Sequence, residues 1–145
     1  MIMPILIYPN DILRKKNEKI KDSKAPEIKA LIFDMLETME ASGNALGLAA
    51  PQVGASVRLC IIKINGKTHI LINPKIAARS WKKEISEEGC LSFPGKFIPI
   101  KRNYKVTVKT LNKNGEKIII KAEGLFARAL QHEIDHLDGV LFIDK

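Results

Sequence analysis

The chain has 145 residues, of which 46% are apolar, and this suits one globular domain with a core and excludes a disordered chain. No apolar run approaches the roughly eighteen residues of a membrane span, so a membrane protein is not expected. The net charge of +8 comes from lysines spread along the whole chain, which favours a solvated surface. No motif for reading nucleic-acid sequence is present. The N-terminus lacks the order of a signal peptide, which predicts a cytoplasmic protein.

The first third of the chain predicts a helical turn, one long helix and a loop. A short turn is expected over 11–15. From Pro26 to Ala41 the apolar residues recur at three- and four-residue steps, and Gly43 follows, which predicts an amphipathic helix. The next segment, GNALGLAAPQVG (43–54), is rich in small residues and favours a loop or a closely packed backbone.

The rest of the chain predicts short strands and a second helix. The strand segments are VRLCIIKI (57–64), THILINP (68–74), the stretch around IAARSWKKEIS (76–86), KFIPIKR (96–102), KVTVKTLN (105–112) and EKIIIKAEG (116–124). Asn114 and Gly115 predict a hairpin turn. A helix over 124–137 and a last strand at VLFI (140–143) follow. This order predicts one α+β domain, residues 1–145, with a largely antiparallel sheet wrapped around the C-terminal helix.

The segment QHEIDHLDG (131–139) holds two of the three histidines and is a candidate metal site. Residues four apart share one face of a helix, so His132 and His136 can bind the same ion. Sites of this His-Glu-x-x-His form use the intervening glutamate, here Glu133, as a general base. A catalytic metal ion usually has three protein ligands. The third ligand must therefore come from a glutamate, a third histidine or a cysteine.

Cys90 differs from the other candidates for the third ligand. His69 lies in a predicted strand, where a lone histidine is usually a surface or core residue, and Cys60 lies in an apolar strand that predicts a buried, inert thiol. Cys90 lies in EEGCLS, outside any regular strand pattern. Its thiolate would complete a His₂Cys set with one position left for water, whose pKa the ion would lower. Without an export signal, a disulfide between the two cysteines is not expected.

Three segments resemble the signature motifs of the peptide deformylase family: ALGLAAPQ (45–52), EGCLS (88–92) and QHEIDHLDG (131–139). The spacing and the strand pattern between them extend the resemblance over nearly the whole chain. The resemblance implies a metal-dependent hydrolase that removes the N-formyl group from the initiator methionine of new polypeptides and releases formate.

The resemblance also implies a role for each motif residue. It makes Cys90, His132 and His136 the metal ligands and Glu133 the proton shuttle. The oxyanion would be held by Gln52 and by the backbone N–H of Leu91. The implied ion is Fe²⁺, with Ni²⁺ or Co²⁺ as substitutes and Zn²⁺ less active, although the affinity order alone favours zinc. A monomer is expected, with weak ribosome contact through the basic surface.

A pocket for the methionine side chain is predicted beside His132. Leu125, Arg128 and Ala129 precede this histidine by seven, four and three residues and therefore share its helix face. Leu125 and Ala129 suit a thioether, although Leu125 can also be a core residue. Arg128 is expected to lay its methylenes along the wall and keep its charge in water. From Gly47 onward, the small residues of GLAAPQ favour pairing with a substrate backbone as an added strand.

The first motif differs from the family pattern at one position, and the sequence is compatible with two other functions. The first motif usually opens with glycine where this chain has Ala45, which would be strained if that position needs a positive φ. A zinc metallopeptidase that cleaves internal bonds would tolerate another third ligand. A basic RNA-associated domain with a structural metal would need four protein ligands, and no fourth is evident.

Overall fold

The computed structural model describes residues 1–145. The first third of the chain contains one long helix. A 3₁₀ turn at Asp11–Arg14 precedes helix α1, which covers Pro26–Ala41 as predicted. Proline is favoured at the first helical position because the N–H that it lacks would have no partner within the helix there. Gly43, with a φ of +79°, lets the chain turn away beyond the end of the helix. The buried side of α1 has the predicted spacing: Ile28, Ile32, Met35, Thr38 and Met39.

Seven strands form two antiparallel sheets. In chain order they are β1 (Gly47–Ala49), β2 (Leu59–Ile64), β3 (Lys67–Arg79), β4 (Lys83–Cys90), β5 (Phe93–Asn103), β6 (Lys105–Leu111) and β7 (Lys117–Glu123). The larger sheet has the order β1-β2-β3-β6-β7, and β4 pairs with β5 in a separate ribbon. The predicted α+β class and antiparallel pairing are confirmed, with two sheets in place of one.

Helix α2, Gly124–Leu137, packs on the inner face of the five-stranded sheet. Its residues Ala127, Leu130 and Ile134 share a core cluster with Cys60 and Ile62 of β2. The neighbouring residues of β2 point the other way and join the cluster formed with α1. The first four residues of β2, 59–62, therefore form an unbroken apolar run, because both faces are covered by helices there. No helix is both long enough and apolar enough to cross a membrane.

Three sequence predictions need correction or refinement. The stretch over 76–86 is two strands, interrupted at 80–82 where Trp81 is fully exposed. The segment over 43–54 contains β1 and a 3₁₀ turn. The predicted strand at VLFI is wrong: Phe142–Asp144 forms a 3₁₀ turn, and Leu141 and Phe142 fill a small core cluster. A short apolar run predicts burial, but it does not specify a hydrogen-bonding neighbour.

Candidate metal centre and active site

Cys90, His132 and His136 come together from two elements. Cys90 is the last residue of β4, and the two histidines lie one turn apart on α2. The ligand atoms of all three residues lie within 4.8 Å of one another, and Cys90 Sγ is 3.3 Å from His136 Nε2. One thiolate and two imidazoles at this spacing fit a single divalent ion with a further position open.

Cys90 ends a strand, contrary to the expectation that it lies outside one. The pairing of β4 with β5 shifts register between Gly89 and Cys90, and such a bulge re-aims the side chain that follows it. This irregularity explains why the sequence shows no clean strand pattern there. The other candidate ligands lie outside the cluster. Cys60 is fully buried, which raises the pKa of its thiol, and His69 lies against the Phe126 ring.

Glu88 is a buried carboxylate that orients the first histidine. It accepts two hydrogen bonds of 2.9 Å from Arg102, one of 2.6 Å from Arg128 and one of 2.8 Å from His132 Nδ1. Because Nδ1 is occupied, Nε2 is the His132 nitrogen left for an ion. Burial alone would raise the pKa of Glu88, but the hydrogen bonds from Arg102 and His132 outweigh it and hold the pKa well below its usual range.

The prediction that Arg128 keeps its charge in water is wrong. Its guanidinium is buried and donates to the Glu88 carboxylate, to the Ile100 carbonyl at 2.8 Å and to the Glu84 carbonyl at 2.7 Å. The prediction for Arg128 was wrong because it assumed that no buried anion faces this side chain. The sequence does not show that β4 brings Glu88 there. The planar fork of arginine suits such a carboxylate.

Glu133 lines the same cavity as Cys90 and His132. Its Oε1 is buried without a hydrogen-bond partner, and burial raises the pKa of Glu133 to about 7. Burial lowers the pKa of His132, but hydrogen bonds with Cys90 and Glu88 outweigh this and raise it to about 10. The surroundings of His132 therefore favour a positive charge, which is the charge a metal ion brings. His136 Nδ1 is also buried without a partner, and burial lowers the pKa of this imidazole.

Both ends of the Gln52 side-chain amide are fixed. Its Oε1 accepts from the Ala49 N–H at 2.9 Å, and its Nε2 donates to Ser92 Oγ at 3.2 Å and lies 3.6 Å from Cys90 Sγ. The N–H of Leu91, in the turn after Cys90, has no hydrogen-bond partner. Two donors of the kind that bind an oxyanion therefore border the thiol.

A cavity of about 540 Å³ opens onto the cluster. All four predicted substrate-binding residues line it: Gly47, Leu125, Arg128 and Ala129. Leu125 is 54% exposed, so it forms part of the rim and is not a core residue. Ala129 is buried on the wall.

Strand β1 is an edge strand, so one side of its backbone has no neighbouring strand. The N–H of Lys63 donates to the Leu46 carbonyl, and bonded positions alternate along an antiparallel pair. The N–H and C=O of Gly47 therefore point away from β2 and can pair with an extended ligand. The strain considered for Ala45 is absent, because Asn65 and Asn73 are the only non-glycine residues with positive φ.

Sequence reasoning missed the residues that support the ligands: Glu88, Ser92, Arg102 and Asp135. A signal existed for Glu88, because it opens the segment EGCLS (88–92) that carries Cys90. Asp135, which follows His132 by three on α2, pairs with Arg102. No local signal pointed to Arg102, since the pairing of β4 with β5 brings it to the site.

A central helix with two histidines and a glutamate, facing a thiol at the end of a strand, defines a metal-dependent hydrolase. The chain matches the polypeptide deformylase family over residues 2–145 and belongs to it. The peptide deformylase of Thermodesulfovibrio yellowstonii is 48% identical over 149 aligned residues, which cover 99% of this chain and 88% of that protein.

Two solved structures show the same architecture. The crystal structure of peptide deformylase from Thermotoga maritima has a TM-score of 0.96 at 39% identity and covers 100% of this chain and 97% of that one. The Met-Ala-Ser-bound class I type b peptide deformylase of Acinetobacter baumannii has a TM-score of 0.93 at 31% identity, with coverages of 99% and 98%.

These findings confirm the resemblance drawn from the three motifs. They also confirm the predicted activity, a metal-dependent hydrolase that removes the N-formyl group from the initiator methionine of new polypeptides. The metallopeptidase and the non-catalytic RNA-associated domain therefore lose their support.

Proposed function

We propose that Cys90, His132 and His136 hold the catalytic ion of deformylation, and that this ion is Fe²⁺ in the cell, with Zn²⁺, Ni²⁺ or Co²⁺ able to replace it. The observation that carries the proposal is the convergence of these three ligand atoms within 4.8 Å, with Glu133 lining the same cavity as Cys90 and His132. The bound ion supplies a Lewis acid that polarises the formyl carbonyl and lowers the pKa of water.

Glu133 is the proton-transfer residue of this proposal. It takes a proton from the attacking water and gives it to the methionine nitrogen as the formyl C–N bond breaks. Its Oε1 has no competing partner, and a pKa of about 7 suits both accepting and donating a proton near neutrality.

Gln52 and Leu91 supply the oxyanion donors. The formyl oxygen gains negative charge only as the tetrahedral state forms, so donors fixed beforehand stabilise that state more than the substrate. The amide of Gln52 is held by Ala49 and Ser92, and the N–H of Leu91 is free. The Leu91 donor needs no reorganisation, whereas the Nε2 hydrogen of Gln52 that points at Cys90 Sγ turns to the formyl oxygen.

The peptide binds as a strand added to the free edge of β1, with Gly47 as its backbone partner. The methionine side chain then enters the cavity beside Leu125 and Ala129, with Arg128 held in the wall by Glu88. The Acinetobacter baumannii relative, which was solved with Met-Ala-Ser bound, supports this substrate class.

Residues 1–145 act as one catalytic domain, because α2 packs on the sheet and also carries the ligands. We place the enzyme in the cytoplasm as a monomer. Its net charge of +8 supports a weak contact with the ribosome, where new polypeptides appear.

Release of formate from formyl-Met-Ala-Ser tests the proposed function. The protein is loaded with Fe²⁺ or Ni²⁺ without oxygen, and Glu133→Ala serves as the matched control. We expect formate from the wild type and a decrease of about 10²–10⁴-fold in turnover for the variant. Cleavage of internal peptide bonds without formate release would instead identify a metallopeptidase.

A further inference from the structure

The outer face of strands β3, β6 and β7 carries four exposed lysines without acidic partners. These residues, Lys75, Lys109, Lys117 and Lys121, are called the lysine face below. Lysine ion pairs occur elsewhere at Lys63 and Lys145, and Lys105 pairs with Glu123 at one end of this face. Four ammonium groups on one surface therefore have no protein counter-charge within ion-pair distance.

The strand register places these lysines close together. Lys75 lies opposite Lys109, which in turn lies opposite Ile119 on the next strand. Lys117 and Lys121 flank Ile119 on β7, two residues to either side. Paired residues lie about 5 Å apart and each residue adds about 3.3 Å along a strand. The four lysines thus occupy a patch of about 10 by 13 Å.

The lysine face lies on the opposite side of the sheet from the metal site. Val106 and Val108 alternate with the outward residues of β6 and pack in the core cluster with α2. Lys109 points away from that helix because successive residues of a strand face opposite sides. None of the four lysines lines the cavity at the metal cluster. A partner held on the lysine face would therefore leave the active site open.

We propose that the lysine face binds the phosphate backbone of structured RNA. Each strand of a duplex carries one phosphate per about 3.4 Å of helix axis, so a 13 Å patch laid along the axis spans about four of them. The face contains no aromatic side chain for base stacking, and Ile119 is its only exposed large apolar residue. These properties suit backbone contact without sequence recognition, and they do not suit an apolar protein interface or insertion into a lipid surface.

The proposed function includes a weak contact between a basic surface and the ribosome, and here RNA is proposed as the molecule that this surface binds. The choice of RNA rests on the proposed function, whereas the position of the lysine face does not. New polypeptides emerge beside ribosomal RNA, so an enzyme docked by its outer sheet would keep its cavity free for them. Contacts of this kind release counterions. With four phosphates neutralised, the slope of log K against log salt should be about −3 to −4.

Fluorescence anisotropy with a labelled RNA hairpin tests the proposal on the nickel-loaded full chain over a range of KCl concentrations. The face variant combines Lys75→Gln, Lys109→Gln, Lys117→Gln and Lys121→Gln. The control variant removes the same charge from exposed sites away from this face, with Lys15→Gln, Lys16→Gln, Lys83→Gln and Lys101→Gln. We expect the face variant to lose at least about 10-fold in affinity and most of the salt slope. The control variant should bind nearly as the wild type does, and equal losses in both variants would overturn the proposal.

Further variants and probes separate the remaining outcomes. Arginine at all four positions keeps the charge and should keep RNA binding. If the glutamine variant does not fold, the pair Lys109→Gln with Lys121→Gln should still remove about half of the salt slope. Two other anionic probes are compared with RNA: polyglutamate, and vesicles that contain phosphatidylglycerol. Tighter binding to either probe than to RNA would overturn the assignment to RNA.

Formate release from formyl-Met-Ala-Ser is measured on the same samples. It should be unchanged in the face variant, since none of its residues lines the cavity. A wild type that binds RNA through this face but releases no formate would contradict the proposed function and leave the lysine face supported. The failures of the two proposals are therefore distinguishable.

Discussion

A β-carbon placed on Gly47 would lie 2.6 Å from Oε2 of Glu133, closer than real side chains approach. Strand β1 and helix α2 therefore come into contact at Gly47, which has no side chain. Gly47 is not among the glycines with positive φ, so its backbone conformation is open to other residues. Glycine is needed here for space, and that space lets Glu133 lie beside the metal ligands.

The substitution Gly47→Ala should lower turnover while preserving the fold and the metal. The methyl group would displace the Glu133 carboxylate, and a displacement of about 1 Å at a catalytic group can cost roughly 10²-fold in rate. The measurements are kcat on a formyl-Met peptide, metal content and the thermal unfolding temperature.

A double variant checks that Gly47 acts through Glu133. In Glu133→Ala the carboxylate is gone, so adding Gly47→Ala should have little further effect on kcat. Multiplicative losses would mean that residue 47 acts on the substrate independently of Glu133.

Cys90→Ser should lose bound Fe²⁺ and activity together. A neutral hydroxyl replaces the thiolate that lies 3.3 Å from His136 Nε2, and it is a poor ligand for this ion. Metal content after gel filtration and formate release are measured on the same sample, with Cys60→Ser as the matched control because Cys60 lies outside the cluster. A Cys90→Ser protein with full metal content and full turnover would remove Cys90 from the ligand set.

Glu88→Gln should destabilise the protein by about 3–5 kcal/mol. The positive charges of Arg102 and Arg128 would stay buried without the carboxylate that now neutralises them. Its effect should depend on pH. The pKa of Glu88 in the folded state lies below its ordinary value of 4.5, so the carboxylate stabilises the fold fully above about pH 4.5 and less as the pH falls below that value.

Urea unfolding of wild type and Glu88→Gln between pH 3 and pH 7 tests this dependence. The difference in unfolding free energy should be largest near neutral pH and should shrink in acid. A constant difference would mean that Glu88 stabilises the fold by its shape and not by its charge.

Local patterns in the sequence predicted the parts of the molecule that local rules determine. Helix α1 begins at a proline and ends before a glycine, and His132 and His136 face one ion because they are four residues apart on a helix. The network of Glu88 with Arg102 and Arg128 could not be predicted in this way. It depends on how β4 and β5 pair and on their approach to α2, and no local spacing encodes this. The sequence therefore located the ligands better than it located the residues that orient them.

The iron form should lose activity in air faster than the nickel form. A thiolate beside Fe²⁺ is readily oxidised, whereas Ni²⁺ does not share the easy one-electron oxidation of ferrous iron. Samples loaded with each ion are held in air and under argon, and formate release is followed with time. Equal lifetimes in air would argue against an iron–thiolate centre, and parallel decay under argon would point to unfolding.

Gln52→Leu should reduce kcat by about 10²–10³-fold, the scale expected for one oxyanion donor. The substitution keeps the size of the side chain but removes the Nε2 that lies 3.6 Å from Cys90 Sγ. Because the charge on the formyl oxygen develops only in the transition state, KM should change much less than kcat. Both constants are measured on a formyl-Met peptide, and metal content is verified for each sample.

Ser92→Ala is the matched variant for Gln52, because it removes a hydrogen-bond partner of the amide and leaves the amide itself in place. Its loss in kcat should be smaller than that of Gln52→Leu, since the Ala49 N–H still holds Oε1. If Gln52 serves only to shape the turn after β1, Gln52→Leu should raise KM and leave kcat nearly unchanged. The ratio of the two effects therefore decides between an oxyanion donor and a structural residue.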